Sequence, residues 1–334
     1  MGTRGLRVLL TGGAGFIGSH VAEALLRGGA NLAIVDNLDE FYSPDRKRAN
    51  LDEIRDVGDF RFSDADICDR EAMREVMLRS RPDVLIHLAA RAGVGPSLSD
   101  PRLCEQVNVA GTLNLLELCR EFNIPKFIFG SSSSVYGRRS HAPFSEDQMA
   151  LYPTSPYAAT KLSGELLSYT YAHLFAINVV CLRFFTVYGP RQRPDLAIHK
   201  FTALMEAGQP LPIYGDGSSG RDYTHVTDIV SGVLAALDYT PSDEQGVPCE
   251  VFNLGRSHPV KLNELVELLE RTLGKKALRV FEPSHSADLP LTWANISKAS
   301  QRMGYHPKIS LEEGLQEFVD WYRSADLVRQ AAAK

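Results

Sequence analysis

The chain of 334 residues has no long apolar run, few cysteines and no excess of positive charge. About 20 consecutive apolar residues are needed to span a bilayer, so we expect neither a membrane-embedded nor a secreted protein. The five cysteines are odd in number and far apart, which is typical of reduced thiols in the cytoplasm. Lys and Arg number 36 against 41 Asp and Glu, and the net charge of −5 argues against a nucleic-acid partner.

The nine histidines include no short-spaced pair of the kind that metal sites use, so no metal centre is expected. Hydrophobic residues make up 44% of the chain and charged residues 23%, close to the averages of soluble globular proteins. This composition predicts a packed core and excludes a disordered or fibrous protein. The length predicts one large unit or two closely joined lobes.

Short β-rich apolar segments alternate with longer segments of helical periodicity, which predicts an α/β fold with a Rossmann-type, doubly wound parallel sheet. Strands are expected near residues 6–10, 31–35, 61–62, 84–88, 127–129 and 179–182. A helix is predicted from Pro156 to about Phe175, because Ser155 supplies a capping hydroxyl. Beyond residue 187, prolines and a glycine-rich loop interrupt the pattern. We predict a Rossmann domain over 1–187 and a smaller, mainly substrate-binding lobe over 188–334, with the chain crossing back near 224–255.

A glycine-rich turn follows the first predicted strand. Gly12, Gly15 and Gly18 have the spacing of dinucleotide-binding turns, in which the backbone approaches a pyrophosphate and the next helix presents its N-terminal amides. Asp36 ends the second strand, where a carboxylate accepts hydrogen bonds from the adenosine ribose and repels a 2′-phosphate, which favours NAD over NADP. The pair Asp66-Ile67 suits the adenine edge. Tight turns and acidic turn residues are the alternatives at these positions.

Tyr157 and Lys161 lie four residues apart on the predicted helix and therefore share a face. A nearby ammonium lowers the pKa of a phenol, so that its phenolate can act as a general base near neutral pH. The fifth predicted strand ends in Gly130 and the serines 131–134, at the edge where doubly wound sheets hold ligands. Taken singly, each feature is also explained by surface packing or by a plain turn.

Together these motifs resemble the extended short-chain dehydrogenase/reductase family, in its nucleotide-sugar epimerase and dehydratase group. The resemblance also uses the segments 87–90, 107–112, 131–137 and 220–223. It implies NAD held throughout turnover, Tyr157 as base and acid, Lys161 on the nicotinamide ribose and Ser132 as the hydroxyl partner of the substrate. The implied cofactor contacts are Gly12, Gly15, Phe16, Ile17, Gly18, Asp36, Asn37, Asp66, Ile67, Leu88, Ala89, Ala90, Asn108, Ser131, Tyr157 and Lys161. A homodimer formed through helices over 103–122 and 156–175 is also implied, although core faces would explain the same apolar stripes.

The residues after Ser132 bear on the reaction. Dehydratases of this group carry an acidic pair there and decarboxylating relatives a glutamate, whereas this chain has Ser133 and Ser134. This departure favours simple 4-epimerisation of a UDP-sugar. Segment 183–195 resembles that of the uronate epimerases, and Thr186 stands where epimerases for UDP-glucose typically have asparagine. We therefore predict a UDP-glucuronate 4-epimerase. The alternatives are an epimerase for UDP-glucose or a UDP-N-acetylhexosamine, and a non-catalytic sensor of NAD or nucleotide sugars.

The carboxylate of a uronate makes a chemical demand on the sugar site. Oxidation at C4 produces a β-keto acid, which loses carbon dioxide when its carboxylate bond stands perpendicular to the ketone plane. We expect the hydroxyls of Ser133, Ser134 and Thr186 to fix the carboxylate orientation, and Arg193 to bind this carboxylate or a nearby phosphate. For Thr186, a turn or capping role is an equal alternative.

The nucleotide end of the substrate is assigned to residues of the second lobe. Arg221 should pair with the diphosphate, because a guanidinium matches two phosphate oxygens. Ile213 and Tyr214 are expected to flank the uracil, and Asp288 to accept a hydrogen bond from the uridine ribose. This chain departs from the family pattern just before Asp288, because it lacks the arginine or glycine that is often found there. His285 is a weak substitute for the second phosphate contact.

Overall fold

The computed structural model describes residues 2–138, 141–148, 152–243, 245–283 and 290–332, with side chains up to residue 325. Its large sheet has seven parallel strands: β1 (Arg7–Thr11), β2 (Asn31–Asp36), β3 (Arg61–Asp64), β4 (Val84–His87), β5 (Lys126–Ser132), β6 (Asn178–Phe184) and β10 (Cys249–Leu254). Their order is β10-β6-β5-β4-β1-β2-β3. All six predicted strands are confirmed, and β5 extends three residues further at its carboxyl end. The order reverses between β1 and β4, which opens a crevice at their carboxyl ends.

Helices cover both faces of this sheet. Those of the described residues are α1 (Phe16–Arg27), α2 (Pro44–Val57), α3 (Arg70–Ser80), α4 (Val94–Ser99), α5 (Pro101–Glu105), α6 (Gly111–Glu121), α7 (Pro156–Phe175), α8 (Ala197–Glu206), α9 (Val226–Asp238), α10 (Leu262–Leu273), α11 (Ser297–Met303) and α12 (Leu311–Ala332). Successive strand residues point to opposite faces. Val8 and Leu10 therefore join one buried cluster with α1, α2 and α9, whereas Leu9 joins another with α3, α6 and α7. These two clusters form the core of the predicted α/β layers.

Local features explain where one helix beside the crevice begins and where another is interrupted. The side chain of Ser155 accepts a hydrogen bond from the Ala158 amide at 3.1 Å, and Pro156 starts α7, so this predicted helix is confirmed. The helix expected over 103–122 is interrupted by a π-helical turn at Gln106–Ala110. Such turns insert an extra residue into a helix and are frequent at functional sites. Here the turn directs Asn108 inward.

The remaining strands belong to a smaller unit at the carboxyl edge of the large sheet. They are β7 (Thr186–Tyr188), β8 (Pro210–Tyr214), β9 (Gly220–His225), β11 (Pro259–Lys261), β12 (Leu278–Glu282) and β13 (Leu291–Thr292). β9 pairs with β7, β11 and β13, and β8 pairs with β12. Leu211, Ile213 and Phe318 lie in a separate buried cluster with α8, α10 and α12. β7 spans the predicted boundary at 187/188, and α9 and β10 return to the large sheet. The division into domains stays a prediction.

No helix within the described part of the chain is both long and apolar enough to cross a membrane.

Candidate active site

A cleft of about 460 Å³ opens at the crevice between β1 and β4. We call the side formed by the turn after β1 and by the ends of β2 and β3 the cofactor half. The side formed by Ser133, Ser134, Thr186 and Arg193 is the substrate half. The predicted site residues that line the cleft are Gly12, Gly15, Phe16, Ile17, Gly18, Asp36, Asn37, Asp66, Ile67, Leu88, Ala89, Ala90, Ser131, Ser132, Ser133, Ser134, Tyr157, Lys161, Thr186 and Arg193. Over the described residues, no group of three or more histidine, cysteine or acidic side chains is arranged to hold a metal ion.

The glycine turn leaves backbone at positions where other residues would place a side chain. Gly12 has a φ of +75°, and a Cβ there would lie 2.6 Å from the amide nitrogen of Ala89. A Cβ on Gly18 would overlap the carbonyl of Gly12. Gly15 caps α1 without a side chain, so the first amides of this helix face the cleft. The turn is therefore a cradle for an anionic group at a helix N-terminus.

Asp36 lies at the end of β2 and is only 7% exposed. Its carboxylate accepts hydrogen bonds from the amides of Ala14 at 3.2 Å and Leu38 at 3.0 Å, which fixes it beside the glycine turn. Lys47 of α2 forms a buried ion pair with it at 3.5 Å. The sequence reasoning missed this partner, because nothing local relates Lys47 to the strand end. The lysine offsets part of the negative charge that would repel a 2′-phosphate.

Asn37 and Asp66 stand side by side at the ends of β2 and β3. The amide of Asn37 donates to Asp66 Oδ2 at 3.1 Å, and the other carboxylate oxygen accepts from the amide of Cys68 at 2.8 Å. Ile67, next along the chain, is buried and lines the same part of the cleft. This region offers one apolar side chain and a polar edge, which suits a purine base.

Ser132, Tyr157 and Lys161 meet where β5 ends beside the first turns of α7. The hydroxyl of Ser132 accepts hydrogen bonds from the amide and hydroxyl of Ser134 at 3.2 and 2.9 Å. Ser132 lies close enough to the Tyr157 side chain to lower its pKa. Lys161 is 4% exposed, and its Nζ donates to the carbonyl of Gly130 at 2.7 Å. The three predicted catalytic side chains therefore line one wall of the cleft.

The electrostatics of this wall differ from the expectation. Burial raises the pKa of Tyr157, and the side chain of Ser132 and the positive charge of Arg193 oppose that effect. The sequence predicted that Lys161 lowers this pKa. In the structure the pKa is raised instead, and the cation that opposes the rise is Arg193. Burial lowers the pKa of Lys161 to about 8, opposed by Cys104 and Glu165.

Arg193 is held at the mouth of the cleft by partners that the sequence did not indicate. Its guanidinium donates to Asp195 at 3.0 and 2.8 Å and lies 5.2 Å from the ring centre of Phe41. The guanidinium of Arg91, paired with Asp39, lies 4.6 Å from that ring. Phe41 and Arg91 also line the cleft. The loop after β2 thus contacts arginines from two distant segments, a tertiary arrangement without a local sequence signal.

Several predicted residues do not reach the lining of the cleft. Ile213 is fully buried in the smaller unit, and Tyr214 and Arg221 are partly exposed on β8 and β9. The guanidinium of Arg221 donates to the carbonyl of Gly220 at 2.9 Å. Asp288 and His285 lie outside the described residues. The nucleotide-end contacts therefore stay predictions.

Asn108 is 2% exposed and lies behind the cleft rather than in its lining. Its side chain accepts from the amide of Arg91 at 2.8 Å and donates to the carbonyl of the same residue at 3.1 Å. It also donates to Thr160 Oγ1 at 3.0 Å. In the structure this asparagine joins the π-helical turn to the loop after β4 and to α7.

Comparisons with known proteins agree over nearly the full length of the chain. A family model described as GDP-mannose 4,6 dehydratase matches residues 9–318. A UDP-glucuronate 4-epimerase of Thermodesulfobacterium geofontis is 43% identical over 314 residues, covering 94% of this chain and 95% of the relative. The structure of Bacillus cereus UDP-glucuronic acid 4-epimerase with UDP-glucuronic acid and NAD matches with a TM-score of 0.88 and 38% identity, covering 95% and 99% of the two chains. A Thermotoga maritima UDP-glucose 4-epimerase with UDP-glucose matches with a TM-score of 0.86 and 34% identity, at the same coverage.

Proposed function

The chain belongs to the extended short-chain dehydrogenases/reductases, in the family whose model is described as GDP-mannose 4,6 dehydratase, and from this we propose that it is an NAD-dependent UDP-glucuronate 4-epimerase. It is an isomerase of nucleotide sugars, and its product is UDP-galacturonate. One observation carries the choice of reaction. In the substrate half, beside Ser132 and Tyr157, the cleft is lined by the hydroxyls of Ser133, Ser134 and Thr186, whereas its described acidic lining residues, Asp36, Asp39 and Asp66, lie at or after the ends of β2 and β3. An acid is what elimination of water would require at this place.

The residues of the cofactor half fit a bound dinucleotide. The glycine cradle at the N-terminus of α1 suits a pyrophosphate, and the Asp36 carboxylate suits two ribose hydroxyls. Asn37, Asp66 and Ile67 would face the adenine. When bound, NAD accepts a hydride from C4 of the sugar and returns it to the other face of the same carbon. The protein residues supply binding, orientation and proton transfer.

Tyr157 is assigned the proton transfer, as base and then as acid. Its oxygen takes the proton of the C4 hydroxyl while C4 is oxidised to a ketone, and returns it after the ketone has turned over in the site. Ser132 hydrogen-bonds the same sugar oxygen. Lys161, whose ammonium is directed to the end of β5, would hold the nicotinamide ribose and add positive charge. Because burial raises the pKa of Tyr157, positive charge near its oxygen is needed for the phenolate to form.

The hydroxyls of Ser133, Ser134 and Thr186 are assigned to the sugar carboxylate. Held by these donors, the carboxylate bond stays near the ketone plane, which protects the 4-keto acid from losing carbon dioxide. Arg193 supplies the positive charge for the carboxylate or for a phosphate once it leaves Asp195. The diphosphate and uridine contacts of Arg221, Ile213, Tyr214 and Asp288 are proposed on the family resemblance.

The experiment that tests this function incubates the purified protein, without added cofactor, with UDP-glucuronate and separately with UDP-glucose. Products are resolved by chromatography, and bound NAD is measured after denaturation. Formation of UDP-galacturonate, with UDP-glucose unchanged, is the expected result. Formation of UDP-galactose alone would contradict the uronate assignment and favour the UDP-glucose reaction. No product from either sugar, with NAD bound, would favour a sensor.

We propose further that two chains associate through α6 and α7 as a homodimer. Large apolar side chains are exposed on and beside these helices, namely those of Leu98, Leu113, Leu166, Tyr169, Leu174 and Phe175. A second copy of the chain is the partner that the family resemblance implies. Leu166 is 62% exposed on α7. Leu166→Lys should therefore reduce the mass measured by light scattering from that of two chains to that of one.

Leu278→Lys is the matched control for the dimer, because Leu278 is 57% exposed on β12 of the smaller unit, whereas α6 and α7 pack on the large sheet. It should leave the mass unchanged. A wild-type mass of one chain, or a dimer that survives Leu166→Lys, would contradict the proposed interface.

We propose a cytoplasmic location on the ground that the cysteines are free. Cys68 is partly buried and the other four are fully buried, and none forms a disulfide in the structure. Thiol titration of protein denatured directly from acid-quenched cells should count five free thiols per chain. A lower count would point to an oxidising compartment.

A further inference from the structure

A buried carboxylate lies beneath the reactive wall and has no part in the chemistry described so far. Glu165 is 6% exposed on α7, one helical turn after Lys161. It accepts hydrogen bonds from the hydroxyl of Ser131, and from Nε and Nη2 of Arg183 at 2.9 and 2.8 Å. Ser131 precedes Ser132 on β5, and Arg183 belongs to β6. Glu165 thus connects the helix that carries Tyr157 to the two strands beside it.

We propose that Glu165 is a positioning residue for the epimerase reaction: it fixes the end of β5 against α7 and keeps the ammonium of Lys161 charged. This inference rests on the proposed function for the role of Lys161. Two strands and one helix converge on the carboxylate, so its removal would free Ser131 and with it the register of Ser132 against Tyr157. Glu165 does not line the cleft, so it acts through these neighbours.

The charge argument depends on what surrounds Lys161. From β5 it meets the carbonyl of Gly130 and the ring of Phe129, whose centre is 5.0 Å from Nζ. From β4, His87 is buried between the hydroxyls of Thr11 and Thr112, and its pKa is lowered by burial and by Lys161, which leaves it neutral. These groups bring no negative charge to the ammonium.

The ionisable side chains that raise the pKa of Lys161 are Cys104 from α5 and Glu165 from α7, and Tyr157 lies one turn before Lys161 on α7. Arg183 of β6 is paired with Glu165. Burial lowers the pKa of Lys161 to about 8, while Cys104 and Glu165 raise it. Of these two side chains, Glu165 is the one that carries a carboxylate. Its loss lowers the pKa of Lys161 further, so the ammonium would be lost at a lower pH.

Glu165→Gln tests the proposal on the NAD-bound protein. The turnover of UDP-glucuronate is followed against pH, and the titration of Lys161 is followed by NMR of protein labelled at the lysine Cε, with Lys161→Met to assign the signal. In Glu165→Gln, the Lys161 midpoint and the alkaline limb of kcat should both fall by about one pH unit. The loss of kcat should grow with pH, with KM little changed.

Two further variants separate charge from packing. Glu165→Asp retains the charge and should restore the midpoint towards the wild-type value. Ser131→Ala removes one hydrogen bond and keeps the carboxylate, so the Lys161 midpoint should not move even where kcat falls. Equal midpoints in wild type and Glu165→Gln would overturn the proposal and leave Glu165 with a structural role alone.

Glu165→Gln leaves Arg183 buried without its counter-ion, so this variant is checked for folding by circular dichroism. If it does not fold, the double variant Glu165→Gln/Arg183→Gln takes its place, since it removes both charges together. Because loss of the Arg183 charge itself raises the Lys161 pKa, this double variant is compared with Arg183→Gln: its Lys161 midpoint should lie about one pH unit lower, and equal midpoints overturn the proposal. The NMR titration needs no turnover, so it decides the role of Glu165 even where UDP-glucuronate proves not to be the substrate.

Discussion

The cofactor half and the substrate half of the cleft are built in different ways. In the cofactor half, the turn after β1 and the ends of β2 and β3 follow directly from parallel strands, and the Asp36 carboxylate accepts hydrogen bonds from backbone amides of the adjoining turn and loop. In the substrate half, Thr186 starts β7 and Arg193 lies on a loop, where it is held by Asp195 and by Phe41 from another part of the chain. The first half is specified mainly by local sequence, and the second depends on the path of the whole chain.

The largest effect is expected between the two halves, at the residue that serves both. Tyr157→Phe removes the oxygen that exchanges the proton, so turnover should fall by about 10³-fold or more. Bound NAD should remain, because the ring and Lys161 stay in place. The measurement is the initial rate of UDP-glucuronate epimerisation together with the NAD content of the purified variant.

Tyr169→Phe is the matched control for this substitution. Tyr169 lies on the same helix, and its hydroxyl donates to Asp243 at 3.1 Å, away from the cleft. It should retain wild-type turnover. A Tyr157→Phe variant with activity within tenfold of wild type would remove the tyrosine from the base role.

The next largest effect is expected from a substitution that alters the cofactor half alone. Gly12→Ala forces a Cβ to within 2.6 Å of the Ala89 amide at a φ of +75°, so the turn must shift and its amides lose their alignment. We expect the NAD content of the purified protein to fall by at least about tenfold, since a misplaced backbone donor costs about 1–3 kcal/mol. The content is measured by absorbance after denaturation.

Gly5→Ala separates the close approach from the backbone conformation. Gly5 has a φ of +79°, close to that of Gly12, but a Cβ there would meet nothing within 4 Å. This variant should lose about 1 kcal/mol of stability and keep its NAD. Loss of NAD from both variants would mean that general destabilisation, and not the geometry of the turn, releases the cofactor.

The sequence predicted the two halves unequally, for the same physical reason. Glycine spacing, the strand-end Asp36 and the pair Tyr157 and Lys161 are local patterns, because one turn or one helix face determines which side chains come together. The fold class and six strands followed from hydrophobic periodicity. Lys47, by contrast, reaches Asp36 only through the packing of α2.

Contacts between distant segments left no comparable signal. Phe41 contacts Arg193, which lies 152 positions further along the chain. The position of Glu165 against Ser131 depends on how α7 packs on β5. The sign of the Tyr157 pKa shift was also missed, because burial outweighs the neighbouring charges and burial cannot be read from spacing. Local order therefore predicted most of the cofactor half. The lining residues of the substrate half were predicted from the family resemblance, and tertiary structure was needed for the partners that hold Arg193.

The smallest effect is expected in the substrate half, from Thr186→Val. The substitution keeps the shape of the side chain and removes one donor to the sugar carboxylate, so turnover should change by only a few fold. The fraction of UDP-pentose formed from UDP-glucuronate should rise, because the 4-keto acid is free to place its carboxylate bond perpendicular to the ketone plane. Chromatography of products after many turnovers measures this fraction.

Thr202→Val is the control, since Thr202 is buried in α8 away from the cleft and its hydroxyl has no hydrogen-bond partner in the described structure. A product profile unchanged from that of Thr202→Val would show that Thr186 does not guard the carboxylate, and would shift that role to Ser133 and Ser134.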